Sequence, residues 1–295
     1  MNRIASFRNV FLLLILASIW SSSFAVIKVG VETLPPMTLA TLRILLAALI
    51  LYAYVRMKGL SAIMPRKMWG LAFIVGLFGN GLPFTLIGWG EQTIDSGLAA
   101  ILMAVMPLTT LLLLHWTSSD ERLTPIKLTG ITTGFLGVVV LVGPEALKGL
   151  GGDAIRQIVV AGGAVCYAIA TSTAKHMPPM HPAQRGAAVM IMAGLQMIPV
   201  SLLIDRPWEL SPSMDSILAA VYLGIFPTAL ATLIYFALMS ARGATFISLN
   251  NYLIPGLGVI WGWLFLDESI SVQSLGALAL ILTGIAITNM KRQIT

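Results

Sequence analysis

Ten apolar windows of roughly 20 residues, each long enough to cross a bilayer at 1.5 Å of rise per residue, follow one another with only short loops between them. They centre near Ile19, Leu46, Gly79, Ala104 and Leu136, then near Cys166, Met192, Ala229, Gly258 and Leu280. An unpaired backbone polar group in lipid costs several kcal/mol, so a spanning chain must be helical or a closed barrel. The windows are continuous rather than alternating, which selects helices and excludes a porin-like barrel. Charge agrees: only 10% of residues are charged, against about 25% in a soluble domain.

The formal charge of +6 does not signal nucleic acid, because the cations sit singly between apolar runs instead of forming a patch. Cys166 is the only cysteine, which rules out an intramolecular disulfide and a cysteine metal cluster. The first window follows Arg3 and Arg8 but runs to about Val29 without a small-residue cleavage site, so it reads as a retained helix rather than a signal peptide.

Cation placement orients the spans. With the N-terminus inside, ten spans put Arg3, Arg8, Arg56, Lys58, Arg66, Lys67, Arg122, Lys127, Lys175, Arg185, Arg242, Lys291 and Arg292 on the cytoplasmic side. Lys28, Lys148, Arg156 and Arg206 fall outside, together with ten of the twelve acids; only Asp120 and Glu121 are inside. The expectation is a multi-pass protein of a bacterial-type inner membrane with both termini cytoplasmic.

Sliding the sequence over itself reveals an offset of 147 residues: Trp20 falls on Tyr167, Lys28 on Lys175, Pro35 on Pro182 and Glu121 on Glu268. "FTLIGW" at 84–89 falls on "ATLIYF" at 231–236, and Pro107 on Pro255 after a one-residue slip. The predicted halves are residues 1–147 and 148–295. Five spans in each is an odd number, so the second half enters the membrane inverted. The fold class expected is therefore all-α integral membrane, with ten transmembrane helices as two inverted five-helix repeats around a central cavity, an arrangement characteristic of secondary transporters. A scaffold that merely inherited a duplication is the alternative.

The segments "IWSSSFAVIK", "TLRILLAAL", "DERLTPIKLTGITTGFLGVVV" and "DESISVQSLGALALILTGIAI" resemble the EamA-type drug/metabolite transporter superfamily over nearly the whole chain. The resemblance implies a ten-helix inverted-repeat carrier, and within the superfamily the overall likeness is to bacterial exporters of aromatic amino acids. It implies small amphipathic metabolites as cargo; the lipid bilayer is the expected surroundings, with no nucleic acid and no cofactor, and a monomer is the expectation where the sequence leaves the oligomeric state open.

Interrupted helices at corresponding places in the two halves point to a transporter site. "GNGLPF" breaks the third span through Gly79, Gly81 and Pro83, and the offset carries Asn80 onto Pro227 of the eighth. Pro107 and Pro255 interrupt the fourth and ninth. These six glycines and prolines are the expected hinges. In "SLNNYLIPG", Ser248, Asn251, Tyr252 and Pro255 follow i, i+3, i+4, i+7 spacing, which would aim one polar face at the cavity. Asn251 and Tyr252 are assigned to substrate contact, with structural hydrogen bonding as the alternative, and Asn250 to a bond with a neighbouring helix. Met103, Met106, Pro107 and Thr110 repeat that spacing; polarizable thioethers suit aromatic cargo, although such a stripe can also be packing.

Thr228, Thr232 and Tyr235 share a face, and Trp20, Tyr167 and Asn80 lie at mid-membrane. Arg43 is the one strong charge within a span and needs a partner or a wet path. A substrate carboxylate fits, structural anchoring being the alternative. Lys28 and Lys175 end their spans and are read as snorkelling. Glu121 and Glu268 stand at helix starts, near the caps Thr124 and Ser271. Gly130, Gly134 and Gly137 suggest close helix packing or a dimer face.

Ser172 and Lys175 have S-x-x-K spacing but lack the accompanying motifs, and no Walker loop or H-E-x-x-H occurs, so the chain does not read as an enzyme. A phosphate or nucleotide-sugar translocator would want several cavity cations, and a cationic multidrug pump a buried carboxylate. With no acid at mid-depth, downhill facilitation is expected rather than proton exchange.

Overall fold

The computed structural model describes residues 3–90, 92–93, 102–118, 122–148, 153–254, 256–257 and 272–289, and contains no strand among them. Pro255, Glu121, Glu268 and Ser271 lie outside the described residues. The helices are α1 (Arg3–Gly30), α2 (Pro36–Met57), α3 (Arg66–Gly90), α4 (Met106–Thr117) and α5 (Pro125–Lys148). They continue as α6 (Ala154–Ala174), α7 (Pro182–Ile204), α8 (Met214–Arg242), α9 (Ala244–Ser248) and α10 (Val272–Asn289). Five of these, α2, α3, α6, α7 and α8, are long and apolar enough to cross a membrane; shorter apolar stretches cover Phe7–Ser23, Pro125–Val140 and Leu275–Thr288.

Local chemistry sets the helix ends. Pro35 holds an extended ψ of 142° ahead of Pro36, whose fixed φ suits a first helical turn. Asp153 accepts from the Arg156 amide at 3.2 Å to start α6, and His181 with Gln184 forms a reciprocal cap on α7. Thr124 Oγ1 accepts from the Lys127 amide at 3.2 Å, the cap its sequence position predicts for α5. Gly243, at φ +84°, turns the chain from α8 into α9, a conformation that favours glycine.

Two helices are interrupted by π turns, at Leu77–Gly81 in α3 and Gly224–Leu230 in α8, whose first residues are 147 positions apart. The fourth apolar window turns at 104–105 just ahead of Pro107, and the ninth turns at Leu249. Proline explains part of the α8 break: Pro227 has no N–H for the Leu223 carbonyl one helical turn earlier. Thr228 Oγ1 donates to that carbonyl instead, at 2.7 Å.

α2 packs on α7, α3 on α6 and α7, α4 on α6, and α8 on α1, α2 and α7. α5 pairs with α10. A Cβ on Gly284 would lie 2.5 Å from the Gly130 carbonyl and 2.8 Å from Gly134 Cα, so these backbones are in direct contact. Gly137 makes the same kind of approach, where a Cβ would lie 2.8 Å from the Ile281 amide. The glycine row thus seats α10 within the chain. Arg185, buried at the start of α7, donates to the Ala174 carbonyl at 2.6 Å and to Ser240 Oγ at 2.9 Å, tying the end of α6 to α8.

Candidate functional site

The π turns and the helix breaks converge on one cavity. Its volume of about 140 Å³ is roughly ten times the 10–15 Å³ that one water needs by the same measure. Trp20, Arg43, Asn80, Met103 and Met106 line it from the first half of the chain. Tyr167, Thr232, Tyr235 and Asn251 line it from the second, and Gly79 and Pro227 contribute from the two π turns.

Trp20 Nε1 donates to the Pro227 carbonyl at 3.0 Å, and its ring centroid lies 6.3 Å from that of Tyr235. Tyr235 OH donates to Thr171 Oγ1 at 3.2 Å, joining α8 to α6 along the wall. Asn251 Nδ2 lies 2.6 Å from Met106 Sδ, so the amide and the thioether from the broken fourth and ninth windows touch.

Arg43 is 95% buried, at 5% relative exposure. Its Nε donates to Thr228 Oγ1 at 3.0 Å, and Phe84 lies beneath the guanidinium, 3.8 Å from Cζ to ring centroid. The Thr228 hydroxyl that repairs the Pro227 break therefore also orients the arginine. No carboxylate among the described residues is within ion-pair distance of Arg43. A recess of about 10 Å³ shares Ile27, Arg43 and Phe84 with the main cavity and adds Leu39 and Gly88.

Tyr252 is placed elsewhere. Ile247, Asn251 and Ile254 face the cavity at i, i+4, i+7 spacing, and Ser248 and Tyr252, each one residue further round the helix, do not. Tyr252 is fully buried among Ala104, Leu111, Ile131, Val138 and Ile281, with its OH donating to the Ile131 carbonyl at 2.9 Å. Gly134 makes room for its ring: a Cβ there would lie 2.7 Å from Cδ2. Ser248 is also buried, donating to the Thr245 carbonyl. Asn250, expected to bond a neighbouring helix, is fully buried, and neither amide atom has a hydrogen-bond partner among the described residues.

Of the remaining expected hinges, Gly81 sits in the first π turn against Met197 and Pro83 follows it, both buried and away from the cavity wall. Pro107 opens α4 just past its break. Thr110 is not among the residues lining the cavity, and its hydroxyl is buried with no partner among the described residues. Lys175 Nζ donates to Ser118 Oγ at 2.6 Å and so ties α6 to the end of α4 in addition to ending its span. The Ser172 hydroxyl is buried with no hydrogen-bond partner among the described residues, so S-x-x-K forms no dyad.

Sequence reasoning missed Phe84, Thr171 and Phe236 in the wall. Phe84 carried a usable signal, lying four residues after Asn80 and thus on the same helical face. Thr171 follows Tyr167 by the same step. Phe236 carried none, being one more apolar residue in an apolar run.

The EamA-like transporter family model matches the chain twice, over residues 8–143 and 155–290, the second match starting 147 residues after the first. The uncharacterized inner membrane transporter YedA of Escherichia coli K12 is 25% identical over 276 residues, 92% of this chain and 87% of its own. An uncharacterized transporter of Archaeoglobus fulgidus is 28% identical, over 92% of this chain and 95% of its own. Protein PagO of Salmonella typhimurium is 26% identical, over 97% and 94%. A crystal structure at 20% identity shares the fold, with a TM-score of 0.73 across 98% of both chains. With both stretches of the chain matched by one transporter model and relatives aligned along its length, this chain belongs to the EamA-like transporter family, whose members are membrane transporters and not enzymes.

Proposed function

We propose that the chain is a secondary transporter of the bacterial inner membrane that exports amino acids, aromatic ones included, and related small metabolites by alternating access. Ten spans in two inverted five-helix repeats, both termini cytoplasmic, clasp the cargo between them. The observation that carries this reading is the shared cavity. Its wall is built by both halves, at helix interruptions 147 residues apart, from aromatic rings, three thioethers and one buried guanidinium.

Interrupted helices leave polar backbone that is tolerable only beside water or protein, and pairs of them allow two halves to rock about a fixed site. Trp20 and Tyr235 offer faces for a planar side chain, and the Met103 and Met106 thioethers adapt to its edge. Arg43 suits a carboxylate. Among the described residues a single cation lines the wall, a poor match for a phosphate or nucleotide-sugar cargo, and no carboxylate lines it to hold a cationic drug.

The test is counterflow of labelled phenylalanine in proteoliposomes containing the purified protein. Saturable exchange that an imposed pH gradient leaves unchanged is the expected result. Absence of exchange for every amino acid in a loaded mixture would remove the amino acid reading, and accumulation driven by the pH gradient alone would replace facilitation with proton coupling.

A further inference from the structure

The polar groups of the cavity are unbalanced. One guanidinium enters the wall, and no aspartate, glutamate, lysine or histidine accompanies it among the described residues. Tyr167 and Tyr235 are the other titratable groups there. A zwitterionic amino acid brings two charges, and this wall provides a strong partner for only one of them.

Arg43 is held in a way that leaves its fork open. Nε is taken by Thr228 Oγ1 at 3.0 Å, and one face of the guanidinium is covered by Phe84 at 3.8 Å. Its two terminal amino groups have no acceptor among the described residues. Two parallel N–H donors are the geometry that a carboxylate accepts, and a buried cation without a counter-charge is costly until an anion arrives. An ammonium entering the same space meets a like charge and loses its water without gaining a carboxylate.

Building on the transport reading above, we propose that the cavity reads the carboxylate of its cargo and leaves the amino group unread. Its substrate class is aromatic monocarboxylates, for which an α-amino group is optional. Arg43 is the specificity-determining residue, and Thr228 and Phe84 position it.

The experiment uses full-length protein and four congeners that share one ring and chain: phenylalanine, 3-phenylpropanoate, 3-phenylpropanamide and phenethylamine. Each is tested for thermal stabilisation of the purified transporter, and as a competitor of labelled phenylalanine in counterflow. 3-Phenylpropanoate should stabilise and compete at least as well as phenylalanine, with the amide and the amine weaker by about tenfold or more. In Arg43→Gln the preference for propanoate over the amide should collapse, and Arg43→Lys should restore part of it. A purely structural arginine would lower all four signals together.

Phenethylamine matching 3-phenylpropanoate, or phenylalanine binding while 3-phenylpropanoate does not, overturns carboxylate reading and leaves amino acid transport standing. 3-Phenylpropanoate binding without phenylalanine exchange keeps the inference and removes amino acids as cargo. No binding of any congener overturns both.

Discussion

The α5–α10 seam gives a prediction with an internal control, since α10 carries two glycines in opposite surroundings. A Cβ on Gly284 would meet the Gly130 carbonyl at 2.5 Å and Gly134 Cα at 2.8 Å, both backbone atoms. Backbone cannot rotate away, so Gly284→Ala must push the helices apart by roughly 0.5–1 Å, which forfeits a quarter to a half of each dispersion well along the seam. For about 50 atom pairs at ~0.15 kcal/mol each, the loss is about 2–4 kcal/mol. Gly276, on the same helix, has nothing within 4 Å of its virtual Cβ. Gly276→Ala should be neutral or gain up to about 1 kcal/mol of helix propensity. Thermal unfolding in detergent, with SDS titration as a second probe, measures both. Equal stability of the two variants would show that the close approach of α5 and α10 is not what holds them.

Three further outcomes follow from the cavity and its surroundings. Tyr252→Phe should cost about 0.6–1.5 kcal/mol through the lost bond to the Ile131 carbonyl and leave flux per folded molecule unchanged, as counterflow normalised to folded protein will show. Thr228→Val removes both the donor to Leu223 and the acceptor for Arg43, and should cost about 1–3 kcal/mol and reduce substrate flux, whereas Thr228→Ser should retain most of both. Phe84→Ala removes a ring that lines both the cavity and the smaller recess, and should raise efflux of preloaded solute in the absence of exchange partner, read as passive leak from proteoliposomes.

The sequence by itself determined the helical character and the paired interruptions. In lipid the backbone must satisfy itself within each segment, so a window of apolar residues already dictates a helix, and Gly, Asn and Pro clusters mark where it yields. The π turn at Leu77–Gly81 coincides with "GNG", and the one at Gly224–Leu230 contains Pro227. Arg43 was conspicuous for the same reason: a charge among apolar residues needs a specific partner.

What only the tertiary structure decided is which way side chains face. A soluble helix advertises its buried side by amphipathicity, but these helices are apolar all round, so periodicity does not separate a cavity wall from a lipid face. Spacing alone put Asn251 and Tyr252 together; the slot above Gly134 took the tyrosine into the α4–α5–α10 packing and left Asn251 beside Met106. Likewise Thr228 and Phe84 became partners of Arg43 through the packing of α2 against α8 and α3, contacts between residues 41 and 185 positions apart that no local pattern encodes.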